Sequence, residues 1–273
     1  NGIRAYGGSR LNYSDATSIN VENEKVQGVI INGEERLESD FVISNMHPQR
    51  TLEILDKNRS IKNAYISRIR SLENTYGIFT LYLVMKKKST PYQNRNLYLH
   101  ANNKVWYDKL LYPGRTTNCM ISMQASSEDS QYASVISILT PMYIDELSAW
   151  KDTTPEHRGE DYQSFKKEKA EQILRFIRGH GIDLSENIEE MYDTTPLSYR
   201  DYTGTVDGSA YGIIKDYKCP QIGFVSTRSR LGNLFFTGQN LNVHGALGVT
   251  LTAMLTCAEF VGQEYLAKKV GNA

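Results

Sequence analysis

Alternating polar and apolar residues near the start of the chain predict a β-meander over residues 16–45. Residues 26–31 are rich in β-branched side chains, and Asn32-Gly33 follows them directly. Asn-Gly is a strong signal for a two-residue hairpin turn because both positions tolerate positive φ. The short apolar run 40–44 at the end of the meander is typical of a buried strand.

The middle of the chain combines strand-like runs with amphipathic helices. The hydrophobic periodicity predicts strands at 76–85, 97–101, 119–124 and 134–139, and helices at 61–72 and 162–180. This arrangement favours the α+β class, with a mixed β-sheet that carries its helices on one face. We expect this sheet to form a central domain over residues 46–230.

The last quarter of the chain predicts a buried strand at 233–237 and one long helix from 245 to about 269. Most of that helix is uncharged, so a membrane span is the alternative interpretation, but it contains Glu259. We therefore favour a helix that is buried on most sides of a large protein. Upstream, the Tyr- and Gly-rich segment 194–216 is either a loop with glycine turns or a loop and helix that approach a ligand closely.

The charge balance argues against a nucleic-acid partner. Lysine plus arginine and aspartate plus glutamate both number 31, so the formal net charge is zero, whereas nucleic-acid-binding domains usually carry a basic excess. The lysine run 86–88 is either a solvated strand end or a contact with a membrane surface. Cys119, Cys219 and Cys257 are widely spaced, as expected for unpaired thiols in a reducing cytoplasm.

Several enzyme classes lack their sequence signatures here. The five histidines show no metal-ligand spacing, and neither a G-x-S-x-G elbow nor a P-loop occurs. No G-x-G-x-x-G follows a predicted strand, so the sequence contains no pyrophosphate site of the Rossmann type. The chain also begins without a methionine or a signal sequence. We expect it to be the C-terminal part of a longer protein.

One constellation of residues, 232–249, has a specific chemical interpretation. It consists of a predicted strand, a glycine turn at Gly238, a polar loop and a glycine-rich helix start at Gly245. The free N–H groups of a helix amino terminus, together with the helix dipole, favour a negatively charged ligand. The N1–C2=O edge of a flavin becomes negative on reduction and suits such a terminus. The alternative is a tightly packed strand–turn–helix that binds no ligand.

The same residues resemble a known family. The run Phe236-Thr237-Gly238-Gln239-Asn240-Leu241-Asn242, with His244-Gly245 and Leu247-Gly248-Val249, is similar to the C-terminal FAD-contacting signature of the phytoene desaturase-related oxidoreductases. It most resembles the branch that contains carotenoid isomerases and all-trans-retinol saturases. The segments 40–45 and 195–212 are similar to that branch as well.

The resemblance implies a set of site residues. The cofactor contacts fall on Gly238, Gln239, Asn240, His244, Gly245, Leu247, Gly248 and Val249, and the substrate contacts on Tyr199, Tyr202 and Tyr211. Gly238 and Gln239 correspond to the pair near the ribityl and phosphate groups of FAD, and the tyrosines to the wall between flavin and substrate. The implied chemistry requires no dedicated side-chain base, so no catalytic residue is assigned, and no metal is implied.

The resemblance also implies a domain plan. Residues 46–230 form a substrate-binding domain, whereas 1–45 and 231–273 belong to a partial, Rossmann-like FAD-binding domain and meet in space. Because the neighbouring strands of that domain are missing from the sequence, we expect exposed sheet edges and apolar patches. Self-association through these surfaces follows as an expectation.

The implied function is hydride transfer between FAD and an apolar polyene, which is a carotenoid-like, retinoid-like or other lipid substrate. We expect a cytoplasmic or membrane-associated enzyme in the longer parent protein, and no activity in this chain alone. Two alternatives stay open. One is a redox-neutral carotenoid isomerase that uses FAD, and the other is a non-catalytic lipid-binding domain.

Overall fold

The computed structural model describes residues 2–103 and 114–271, in which the chain forms both strands and helices. The strands are β1 Ala16–Glu22, β2 Lys25–Ile31, β3 Glu35–Glu38, β4 Val42–Ser44, β5 Gly77–Met85, β6 Leu97–His100, β7 Asn118–Ala125, β8 Ala133–Met142, β9 Ile188–Thr194 and β10 Leu234–Phe236. The helices are α1 Gly2–Ala5, α2 Pro48–Glu53, α3 Asn63–Arg70, α4 Gly159–Gly179, α5 Pro196–Thr203, α6 Gly245–Val261 and α7 Gln263–Gly271. These elements confirm the α+β class.

The chain divides into two compact units. The first unit contains the residues up to Glu73 together with those from Tyr211 onward, and the second extends from Asn74 to Ala210. These limits differ from the predicted boundaries after residues 45 and 230, because α2, α3 and the segment 211–230 contribute to the same hydrophobic core as β10. The assignment of FAD binding and substrate binding to separate domains stays a prediction.

The first unit contains the predicted meander. Strands β1, β2 and β3 form an antiparallel sheet, and β2 is connected to β3 by three residues, Asn32, Gly33 and Glu34, rather than by the predicted two. Asn32 and Gly33 have φ values of 53° and 81°. Both positions therefore have the positive φ that the Asn-Gly pair predicted. Strand β4 pairs in parallel with β10, which confirms that segments from both ends of the chain meet. Strand β4 is less buried than predicted, because Ile43 is exposed.

The second unit is built on a five-stranded sheet in the order β6-β7-β8-β5-β9. Its paired strands are all antiparallel, whereas the sequence predicted a mixed sheet. Hydrophobic periodicity indicates a strand and its apolar face but carries no information about strand direction. Helix α4 contributes Ile173 and Ile177 to a core that also contains Phe79 and Leu81 of β5, so this helix covers one face of the sheet.

The segment 194–216 contains a helix rather than only glycine turns. Thr195 caps α5 by accepting a hydrogen bond from the Leu197 N–H at 3.2 Å, and Pro196 occupies the first turn. Gly204 ends the helix in the left-handed conformation, with φ of 66°. A capping threonine, an early proline and a terminal glycine are the local signals that favour a helix here.

The long C-terminal helix predicted over 245–269 is divided into α6 and α7. Gly262 separates them with φ of 83° and ψ of 148°, a conformation that interrupts the helix. Helix α6 is also less buried than predicted, because it buries only its small residues Gly248, Thr252 and Thr256. None of the helices in residues 2–103 and 114–271 combines the length and the apolar character that a membrane crossing requires.

Candidate functional site

The turn after β10 is defined by close backbone contacts. The Thr237 N–H donates to the Ser44 carbonyl at 3.0 Å, which holds the end of β10 against β4. Gly238 follows with φ of 93°, and a Cβ there would lie 1.9 Å from Asn45 Oδ1. Both the backbone conformation and the neighbouring amide therefore require a glycine at this position.

Asn240 holds the next part of the turn and is itself buried. Its Oδ1 accepts a hydrogen bond from the Ile213 N–H at 3.3 Å, and Lys215 Nζ donates to its backbone carbonyl at 2.9 Å. Gly212 permits this contact, because a Cβ at that residue would lie 1.9 Å from Asn240 Oδ1. The side chain of Asn240 thus stabilises the turn.

The amino terminus of α6 is open. His244 occupies the cap position without a side-chain capping hydrogen bond, and the first turn contains no acidic residue. His244, Gly245 and Leu247 are exposed, and Gly245 has no heavy atom within 4 Å of the position that a Cβ would take. The protein's own side chains therefore leave the first N–H groups of this helix accessible to a ligand.

The remaining predicted cofactor residues have different environments. Gln239 is half-buried within the turn, and Val249 is half-buried on α6. Gly248 is buried, and a Cβ there would lie 2.7 Å from the carbonyl carbon of Val243. Gly248 therefore permits the chain to fold back tightly before α6. Nearby, Asn242 Oδ1 is buried without a hydrogen-bond partner among the described residues.

The three predicted substrate tyrosines belong to different units. Tyr199 and Tyr202 lie on α5 in the second unit, where Tyr202 is 80% exposed. Tyr211 lies in the first unit, and its ring centroid is 4.9 Å from that of His244. Within the first unit, the structure therefore brings one predicted substrate residue next to a predicted cofactor residue.

Two residues at this site were not predicted from the sequence. Asn45 occupies the space beside Gly238, and Lys215 bonds the carbonyls of Asn240 and Gly223 at 2.9 Å and 3.4 Å. Burial lowers the pKa of Lys215 to about 8. A single lysine in a polar segment gives no sequence signal for such a role, because its contacts come from residues distant in the chain.

Comparison with known proteins gives independent information. No protein-family model matches the chain. All-trans-retinol 13,14-reductase of Danio rerio is 23% identical over 186 residues, which are 61% of this chain and 30% of that protein. The Homo sapiens protein of the same name is 24% identical over 176 residues, which are 63% of this chain and 25% of that protein. The chain thus matches less than a third of the length of either relative.

Solved structures share the fold. An oxidoreductase from Methanosarcina mazei superposes with a TM-score of 0.51 at 15% identity, over 92% of this chain and 50% of the other. A putrescine oxidase mutant made to redesign cofactor binding superposes with a TM-score of 0.55 at 11% identity, over 92% of this chain and 49% of the other. The chain is thus similar in sequence to part of the all-trans-retinol 13,14-reductases, and it shares its fold with the two solved structures.

Proposed function

We propose that this chain is part of a FAD-dependent oxidoreductase that transfers hydride between flavin and an apolar polyene or related lipid. The observation that carries the proposal is the exposed, uncapped amino terminus of α6, which follows the glycine turn at Gly238. The similarity to all-trans-retinol 13,14-reductases supports the choice of an apolar polyene as substrate.

The residues at this helix terminus fit the electron-rich edge of an isoalloxazine ring. Free N–H groups and the helix dipole stabilise negative charge at this position, and the first turn adds no carboxylate that would repel it. The open space above Gly245 permits a planar group to approach the backbone.

Each part of the chain has a role in this proposal. Gly238, Gln239 and Asn240 shape the turn that would position the cofactor, and the backbone from Gly245 to Val249 would face its ring system. His244, which lies next to Tyr211, would contact the edge of the isoalloxazine ring. When bound, FAD would supply the hydride donor or acceptor. Tyr199 and Tyr202 would contact the substrate through rings that combine an apolar body with a polar hydroxyl.

The flavin content of the protein tests the proposal. The longest natural form that contains this chain is purified, and its visible absorbance spectrum is recorded before and after addition of FAD. Flavin absorbance that co-purifies with the protein, or saturable uptake of added FAD, supports the proposal. A colourless protein that takes up no FAD would overturn it. Retinoid binding by such a protein would favour the non-catalytic lipid-binding alternative.

A further inference from the structure

A cavity of about 420 Å³ lies within the second unit, between the start of α4 and α5. Its wall includes Arg158, Tyr162 and Lys166 from the α4 segment, and Ser198 and Tyr202 from α5. None of the predicted cofactor residues contributes to it. Tyr202 is the one residue that this cavity shares with the predicted substrate contacts.

Arg158 has a buried side chain, and one of its buried nitrogens has no hydrogen-bond partner among the described residues. Its side chain is only 8% exposed, and one terminal nitrogen bonds the carboxylate of Asp201. The guanidinium group has five N–H donors. Its Nε has no partner among the described residues. Because an unsatisfied, buried charged donor is costly, an additional acceptor would stabilise this arrangement.

The buried charges around Arg158 do not balance. Asp201 also accepts a hydrogen bond from Arg200 Nε at 2.9 Å, so a single carboxylate serves two guanidinium groups. Lys166 Nζ is 2.6 Å from Asp193 Oδ1 in a second, mostly buried ion pair. Among the buried side chains of these two ion-pair groups, Arg158, Arg200 and Lys166 therefore face only the two carboxylates of Asp201 and Asp193.

Two of the cations converge on one aromatic ring. The guanidinium carbon of Arg158 is 5.3 Å from the ring centroid of Tyr162, and Lys166 Nζ is 5.4 Å from the same centroid. The Tyr162 hydroxyl is fixed by a 2.8 Å hydrogen bond with Thr195 Oγ1. The ring therefore holds both cations along the cavity wall.

Ser198 adds a neutral donor, and acidic residues lie only at the rim. Ser198 Oγ accepts a hydrogen bond from the Thr195 N–H at 3.3 Å, which leaves its hydroxyl hydrogen available to a ligand. Glu156 and Glu160 also line the cavity, but both are exposed. Water and salt weaken the repulsion between these exposed glutamates and an anion more than they weaken the attraction between the buried cations and that anion.

We propose that this cavity is a binding site for an oxyanion, namely the carboxylate or phosphate group of a small molecule. Arg158 is its principal ligand because a guanidinium group binds two oxygens of such an anion at once. Lys166 supplies charge and Ser198 supplies a hydroxyl donor. All residues that line the site belong to the second unit, and its test does not require bound flavin.

Anion titrations of the purified chain test this site. Inorganic phosphate and acetate are added separately while the melting temperature is followed, with sodium chloride at matched ionic strength as the salt control. We expect saturable stabilisation by at least one oxyanion, beyond the effect of chloride. If phosphate alone stabilises, the ligand class is a phosphate compound, and if acetate does, it is a carboxylate.

Three variants localise the effect. Arg158→Gln should weaken oxyanion binding by about tenfold or more, and Arg158→Lys by less, because lysine keeps the charge but loses the two-pronged geometry. Arg175→Gln removes an exposed arginine from the same helix and should leave binding unchanged. If Arg158→Gln does not fold, Ser198→Ala takes its place and should weaken binding about threefold. Stabilisation equal to that by chloride, or equal in the cavity variants and Arg175→Gln, would overturn the proposal.

Discussion

The side-chain amide of Asn233 forms both hydrogen bonds that a neighbouring strand would offer to Val26. Asn233 Oδ1 accepts from the Val26 N–H at 2.9 Å, and its Nδ2 donates to the Val26 carbonyl at 2.8 Å. Nδ2 also donates to the Asp40 carbonyl at 2.8 Å. One buried amide therefore connects β2, the approach to β4 and the approach to β10, which is the part of the first unit that supports the candidate flavin turn.

Replacement of Asn233 by Asp tests this connection. The carboxylate cannot donate to either carbonyl, and it adds an unpaired negative charge in a buried position. We expect the free energy of unfolding to fall by about 3 kcal/mol, as measured by urea denaturation. Asn12→Asp makes the same chemical change at an exposed residue and should cost little. Equal effects of the two substitutions would contradict the structural role of Asn233.

Gly212→Ala tests the contact between Gly212 and Asn240. The added Cβ would lie 1.9 Å from Asn240 Oδ1, at a residue with φ of 70°. We expect a loss of about 3 kcal/mol in the free energy of unfolding, since overpacking adds to backbone strain. Gly33→Ala is the matched control, because its φ is 81° but no heavy atom lies within 4 Å of its Cβ position. That control should cost about 1 kcal/mol from backbone strain alone.

A double variant separates the two causes. Gly212→Ala combined with Asn240→Ala removes the clash but keeps the strained φ, so it should be less destabilised than the sum of the two single variants. If the losses in unfolding free energy of the two single variants are strictly additive in the double variant, the side chain of Asn240 does not clash with a Cβ at residue 212.

Local turn chemistry could be predicted from the sequence, whereas long-range contacts could not. Asn32 and Gly33 have the positive φ values that were expected of a hairpin turn, because this conformation depends on the two residues themselves. The glycine turn and helix start at Gly238 and Gly245 were also visible in the sequence. By contrast, Asn45 is far from Gly238 in the chain, and no local pattern indicates that they meet.

Helix α6 shows why the buried side chains of a helix could not be predicted from its apolar sequence. Its apolar sequence suggested burial on most sides, yet its contact stripe consists of Gly248, Thr252 and Thr256. Thr256 Oγ1 donates to the Phe236 carbonyl at 3.0 Å, so small residues permit close approach to β10. Hydrophobic periodicity identifies large apolar side chains, so it gives no signal for a contact stripe made of small residues.

Lys215 gives the first unit a specific dependence on pH. Burial lowers its pKa from 10.5 to about 8, so between these values the unfolded state binds more protons than the folded state. The contribution of Lys215 to stability therefore increases as pH rises through this window. From pH 7 to 9 we expect an increase of up to about 1 kcal/mol, after allowance for partial exposure.

Lys215→Met should remove this contribution. The difference in unfolding free energy between wild type and Lys215→Met is measured by urea denaturation at several pH values from 7 to 9, which span the lowered pKa of about 8. Lys218→Met, which removes an exposed lysine nearby, should leave the pH dependence of the wild type intact. A parallel dependence in all three proteins would exclude a buried, titrating Lys215.

The exposed face of α6 predicts self-association of the purified chain. Leu247, Leu251 and Leu255 are 75%, 46% and 46% exposed and lie along one side of the helix. We expect Leu251→Gln with Leu255→Gln to lower the weight-average mass in light scattering at equal protein concentration. Ile222→Gln, at another exposed apolar residue, is the control. A wild-type chain that stays monomeric at high concentration would count against this surface.

A carboxylate at the amino terminus of α6 should affect protein stability and flavin binding in opposite directions. Ala246 is exposed in the first helical turn, which contains no acidic residue. Ala246→Glu should stabilise the helix by about 0.5 kcal/mol through the helix dipole. The same charge should repel the electron-rich edge of the flavin and weaken FAD binding by about tenfold.

Two controls distinguish charge from size and position. Ala246→Gln has nearly the same shape without charge and should weaken FAD binding less than Ala246→Glu. Ala253→Glu places a carboxylate on an exposed residue in the middle of α6, where the dipole effect is absent and FAD binding should be unchanged. FAD affinity is measured by quenching of flavin fluorescence in the longest natural form of the protein. If Ala246→Glu stabilises the protein but leaves FAD affinity unchanged, the open terminus of α6 has a role in folding and does not bind the cofactor.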